Sequence, residues 1–186
     1  CDKDSVAKLN FEHKELLAQA RVLIWTTTPW TIPGNLAICL NEDIDYVIAQ
    51  AHKLDEDGKA TDDLETIVVA DALLESIAKD CKIKLEAKTK SFKGKELSGL
   101  IARHPLFDRE SKIIFGDHVT TDAGTGCVHT APGHGQEDFD VGKKFDLDIL
   151  CPVDGRGVYT SEAGNYEFKD ISNLENVAKR NDSLKA

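Results

Sequence analysis

RVLIWTTTPWTIPGNLAICL, residues 21–40, sets two runs of β-forming side chains around a turn. Arg21 to Thr27 is dense in branched and aromatic residues, which suit the pleated surface of a strand, and it reads as a buried strand. Pro29 lacks the N–H that a ladder needs, so the strand is expected to stop before it. Pro33-Gly34-Asn35 is turn chemistry, and Leu36 to Leu40 resumes the apolar run. The same short signature recurs at Tyr46–Ala49, Thr66–Ala70, Ile83–Leu85, Ile113–Phe115 and Cys127–His129. Helical patterns are fewer: Phe11–Ala20, a segment capped by Asp71 with Leu74, Ile77 and Ala78 on one face, Gly135–Phe145 and Ile171–Arg180. Lys53–Glu65 (KLDEDGKATDDLE) reads as an exposed acidic loop. Short strands that do not alternate regularly with helices predict an α+β chain, predominantly β. A twisted or barrel-like sheet with a few surrounding helices is expected, and a doubly wound parallel sheet is the weaker choice.

Composition narrows the function. The 186 residues, 41% apolar and 30% charged, fit one domain, 1–186, with a real core. That length is too short for a complete multi-domain catalyst. With 23 Lys+Arg against 33 Asp+Glu, the net charge of −10 argues against broad affinity for nucleic acid, which rests mainly on Lys and Arg at phosphates. The five cysteines are widely spaced with no C-x-x-C pair, so a reducing, cytoplasmic setting is expected over a disulfide scaffold or zinc knuckle. The charged amino end does not read as a secretory signal, and no apolar run is long enough to cross a membrane. A chain without any Met reads as a piece cut from a larger protein.

Three features stand out. Thr26, Thr27, Thr28 and Thr31 put four hydroxyls where a strand opens into a loop, suited to a water or a ribose hydroxyl, or else to a plain β-edge. Asp122–Asp138 (DAGTGCVHTAPGHGQED) gathers four glycines, two histidines and carboxylates. Gly124, Gly126, Gly133 and Gly135 permit close approach of backbone to a ligand. Asp138 falls in the first turn of the expected helix, where the dipole favours an ionised carboxylate able to receive a cation. Metal binding by His129, His134 and Asp138 and a Cys127 nucleophile beside His129 compete with that reading, and neither has an established spacing. Third, Lys79–Lys95 carries seven lysines against two acids, a local charge of +5. It reads as a lysine-protected edge strand or hairpin, or as a surface for a polyanion.

WTTTPWTIPGN at 25–35 and GTGCVHTAPGHGQEDFDVG at 124–142 together resemble the editing domain inserted into isoleucyl-tRNA synthetase, across nearly the whole chain. Related valyl and leucyl enzymes carry Thr-Thr-Arg-Pro at the first motif; Thr28 stands where they have arginine. Neither ATP-binding signature of class I synthetases occurs, as expected of an excised insertion. Gly34 departs from the family pattern, which more often has alanine there.

The resemblance implies a β-barrel-like core and the hydrolysis of valine from the 3′-terminal adenosine of mischarged isoleucine tRNA. No cofactor or metal is implied. By match to the motifs, Asp138 would grip the α-ammonium of the amino acid. Thr26, Thr27 and Thr28 would contact adenosine, amino acid and attacking water, and His129 would border the amino-acid pocket. Trp25, Asn35, Gly126, Val128 and His134 would complete the substrate-binding wall, with Trp25 and Trp30 chiefly supporting the threonine loop. The implied partners are the charged tRNA end and the rest of the synthetase, with no membrane. Two alternatives stay open at this point: a non-catalytic module that docks the tRNA 3′ end, and a valyl-type editing domain acting on threonine.

Overall fold

The computed structural model describes residues 1–164; the helix expected at Ile171–Arg180 lies outside the described residues. Two short helices open the chain, α1 (Lys3–Lys8) and α2 (Lys14–Gln19). The Asp2 carboxylate accepts the Ser5 N–H at 2.9 Å and so occupies a donor that α1 leaves unpaired at its start. Strands β1 (Arg21–Val22), β2 (Ala37–Leu40), β3 (Asp45–Leu54) and β4 (Ala60–Ala70) follow. Next come α3 (Leu74–Asp80), β5 (Ile83–Lys88), β6 (Phe92–Lys93), β7 (Ile101–Arg103), β8 (Glu110–Phe115), β9 (Val128–Thr130) and α4 (Gln136–Lys144).

The strands make two mixed sheets. One runs β1-β4-β3-β5, with β6 also on β3; the other runs β7-β8-β2-β9. The fold is therefore α+β and predominantly β, as expected. Val47, Val68 and Val69 of the first sheet and Leu40 of the second are all fully buried in one core. The sheets are joined along one side by the bridge Trp25↔Val128 and by the Ala70 N–H donating to the Thr125 carbonyl at 2.9 Å.

Three expectations need correction. Arg21–Thr27 is not one buried strand: only Arg21–Val22 pairs regularly, parallel to β4, and Trp25 is 58% exposed. The backbone leaves β4 so that Trp25 can reach β9 in the other sheet, a tertiary demand that outweighs strand propensity. The acidic stretch Lys53–Glu65 is exposed, but it forms the outer arms of the β3–β4 hairpin, with Glu65 opposite Ala51 and Ala60 opposite Leu54. Ladder hydrogen bonds are backbone bonds and need no apolar side chain, so composition hides them. Asp71 does not cap a helix; it begins the 3-10 turn Asp71–Leu73, and its carboxylate pairs with Lys88 Nζ at 2.7 Å. The lysine-rich segment runs from the end of α3 through β5 and β6 into the 3-10 turn Gly94–Leu97. Only Lys84 and Lys88 of its seven lysines lie on β5, at the end of the first sheet's strand order, where charge discourages addition of another strand.

Tyr46 ties the core to the glycine-rich segment. It is fully buried, donates its hydroxyl to the Gly126 carbonyl at 2.6 Å and accepts the Asn41 N–H at 3.1 Å. Gly126 sits at φ +73° with Ala70 pressed against it, and a Cβ there would stand 2.5 Å from the Ala70 Cβ. Tyr46→Phe should lower the free energy of unfolding by about 1–3 kcal/mol, since buried partners are left unpaired. Gly126→Ala should destabilise at least as much, combining overpacking of roughly 1–3 kcal/mol with a left-handed backbone. Urea titrations of the two variants against the parent chain measure both.

Candidate active site

The two sequence motifs meet across a cavity of about 540 Å³. Trp25, Thr26, Thr27 and Thr28 line one side, and Gly126, Val128, His129, His134 and Asp138 the other. The threonines sit where the chain, released from β4, enters the 3-10 turn Pro29–Gly34. Thr28 donates its N–H to Thr26 Oγ1 at 3.0 Å, and the two hydroxyls lie 3.3 Å apart. Thr27 is exposed at the cavity mouth. Trp30 and Asn35 lie off this wall. Trp30 is largely exposed and its carbonyl accepts the Tyr159 hydroxyl, while Asn35 is buried behind His129.

Asp138 stands in the first turn of α4, but its carboxylate is fixed from outside the helix: Oδ2 accepts the Ala131 N–H at 2.9 Å. Burial raises its pKa above the usual carboxylate value, opposed by the Ala131 hydrogen bond and by His118. Burial thus acts against the ionised form that the start of α4 favours, and the Ala131 N–H acts for it. A half-buried carboxylate of this kind gains from a cation placed beside it.

His129 is buried and held at both ring nitrogens. Nδ1 lies 2.8 Å from Asn35 Nδ2 and Nε2 lies 3.0 Å from Thr31 Oγ1. Burial, with His104 and His134 nearby, lowers its pKa to about 4, so the ring is neutral at physiological pH. Cys127 is fully enclosed, burial pushes its thiol pKa far up, and its Sγ faces the Val68 carbonyl. A protonated, buried thiol beside an imidazole whose nitrogens are both engaged does not make a nucleophile–base pair. Among the described residues no group of three or more His, Cys, Asp or Glu side chains is gathered to hold a metal ion.

Sequence reasoning passed over the residues that hold the threonine loop from beneath. His104 Nε2 donates to the Ile32 carbonyl at 2.8 Å while its Nδ1 accepts the Leu106 and Phe107 N–H groups. Arg109 Nη1 donates to the Pro33 carbonyl at 2.8 Å, and Ser111 Oγ donates to Asn35 Oδ1 at 2.7 Å. No motif marks them; they are legible only once β8 is seen beside β2. Gly34 has a steric reason, since a Cβ there would stand 2.8 Å from Cδ2 and Nε2 of His134.

His129 carries a pH consequence. Between its ordinary value of 6.5 and the native value of about 4, the unfolded chain binds a proton that the native ring refuses. Its contribution to stability is therefore complete above pH 6.5 and is lost as pH falls toward 4, at up to ~1.4 kcal/mol per pH unit. Urea midpoints measured across that window should fall with pH, and the His129 ring resonances should titrate near 4.

The family model described as leucyl-tRNA synthetase, editing domain, matches residues 3–178. The isoleucine–tRNA ligase of Macrococcus caseolyticus is 53% identical over 149 residues, 79% of this chain and 15% of that protein. The enzyme of the same name from Bacillus subtilis is 49% identical over 155 residues, 82% of this chain and 16% of that protein. The chain thus spans about one sixth of the length of these relatives. Among solved structures, the editing domain of the P. knowlesi cytosolic leucyl-tRNA synthetase superposes with a TM-score of 0.58 at 16% identity, covering 78% of this chain and 59% of that one. At that identity the likeness speaks for the fold. With the family match running along nearly the whole chain and relatives near 50% identity, the chain belongs to the editing-domain family of class I aminoacyl-tRNA synthetases, on its isoleucyl side.

Proposed function

We propose that residues 1–186 form a single editing domain that hydrolyses the ester of valine mischarged onto isoleucine tRNA, in the cytoplasm and as part of a longer synthetase chain. The observation that carries this reading is the convergence of Thr26–Thr28 and Asp138 on one cavity from segments far apart in sequence. The α-ammonium is the obligatory cation of any aminoacyl ester. Asp138 would receive it, and a charge-assisted hydrogen bond in a half-buried setting both anchors and orients. The threonine hydroxyls would hold the terminal ribose and a water against the ester carbonyl. An aminoacyl ester is already activated, so positioning and stabilisation of the developing oxyanion suffice without a covalent intermediate. His129, neutral and tied at both nitrogens, is assigned the part of a fixed wall and not of a base. Such a wall discriminates by exclusion. A pocket that merely prefers isoleucine over valine gains only ~1–3 kcal/mol from one methylene, the familiar limit for this amino-acid pair. A second cavity that admits only the smaller side chain adds to that.

The test is release of amino acid from charged tRNA. Valine should be freed from valine-charged isoleucine tRNA above the buffer rate, and isoleucine should not. Asp138→Ala should slow release roughly 10–100-fold, the range expected for one charged hydrogen bond. In the parent chain, kcat/KM should fall on the acid side as Asp138 protonates, and Asp138→Asn should flatten that limb. Release of threonine in preference to valine would move the assignment to a valyl-type domain. Absence of release at any domain concentration, with tRNA binding retained, would leave a docking module.

A further inference from the structure

A line of hydrogen bonds runs from β8 to the threonine loop, and its direction follows from the groups at its ends. Asn35 Nδ2 lies 2.8 Å from the Ala37 carbonyl, which only accepts, so the amide nitrogen points that way. Its second hydrogen goes to His129 Nδ1 at 2.8 Å, and that nitrogen therefore carries a lone pair. The hydrogen of the neutral ring sits on Nε2 and goes to Thr31 Oγ1 at 3.0 Å. Thr31 Oγ1 in turn donates to the Thr28 carbonyl at 2.8 Å, again a group that only accepts. With its nitrogen so committed, the Asn35 amide turns Oδ1 toward Ser111, whose hydroxyl donates to it at 2.7 Å. Ser111 is 2% exposed and Asn35 5%, and with His129 both line a second cavity of about 590 Å³.

We infer that Ser111 is a positioning residue for the active site. By donating to Asn35 Oδ1 it joins the Ala37 carbonyl in holding the amide in the orientation that keeps the His129 hydrogen on Nε2. The ring then grips Thr31, and Thr31 grips the Thr28 carbonyl, so a serine on β8 sets the seat of the threonine loop. Ser111 lies off the wall of the 540 Å³ cavity and is assigned no contact with substrate. Its effect on the reaction rests on the deacylase reading above; its effect on the ring does not.

Nitrogen-15 spectra of the histidine rings in the full 186-residue chain at pH 7 test this. In the parent chain His129 should give the pattern of a neutral ring protonated at Nε2. Ser111→Ala should move both ring nitrogens toward an average of tautomers and should lower kcat for valine release about tenfold with KM little changed. Ser111→Thr, which keeps the hydroxyl, should restore both. A parent ring protonated at Nδ1, or charged, overturns the inference without any variant, so a Ser111→Ala chain that fails to fold does not shelter it. A Ser111→Ala ring that keeps the parent pattern overturns it as well. If the parent chain releases no valine, the deacylase reading fails, and the ring pattern alone decides the Ser111 relay.

Discussion

The contact between Asn35 and His129 joins segments 94 residues apart, and the site depends on it. Asn35 follows the 3-10 turn that carries the threonine loop, and His129 is the middle residue of β9, opposite Ile38 of β2. Buried amide and imidazole groups are expensive to leave unpaired, so each specifies the other's position. Around this pair the remaining ties fall into place: Ser111 behind, Thr31 in front, and His104 and Arg109 on the carbonyls of the intervening turn. The threonine loop is thus tied through Thr31 and His129, which line the cavity, to Asn35 and Ser111, which do not.

The electrostatics of the cavity divide its two principal side chains. Burial acts on both Asp138 and His129 in favour of the neutral form, raising one pKa and lowering the other. For His129 the hydrogen bonds suit the neutral ring and reinforce burial. For Asp138 the Ala131 N–H and His118 oppose it, leaving a carboxylate that an incoming ammonium would stabilise further. The division suits a site in which the cation arrives with the substrate. It also reconciles the net charge of −10 with the nucleic-acid substrate proposed above, because the recognition assigned there is of a charged amino-acid ester and one nucleoside, not of a run of phosphates.

Much of the fold was legible in the residues themselves. The buried strands Ala37–Leu40 and Ile67–Ala70 and the helix Gln136–Lys144 follow from apolar runs and periodicity. Two elements were not. Ala60–Glu65 pairs through backbone alone and leaves no apolar trace, and the departure of Leu23–Trp25 from β4 answers to a partner in the other sheet. Thr26–Thr28, His129 and Asp138, which line the cavity, stand out in the sequence because their motifs are long and ordered. Ser111 and His104 were missed because a lone serine in β8 and a lone histidine before a proline carry no pattern; only burial and partners distinguish them.

By itself the sequence determined the α+β class, the two motifs and the membership that goes with them, because periodicity and ordered motifs are local and survive in one dimension. The tertiary structure decided which side chain meets each nitrogen of His129, how Asp138 is held and what anchors the threonine loop. Those depend on burial and on hydrogen-bond partners from distant segments, and desolvation is a property of the packed molecule that no stretch of residues holds alone.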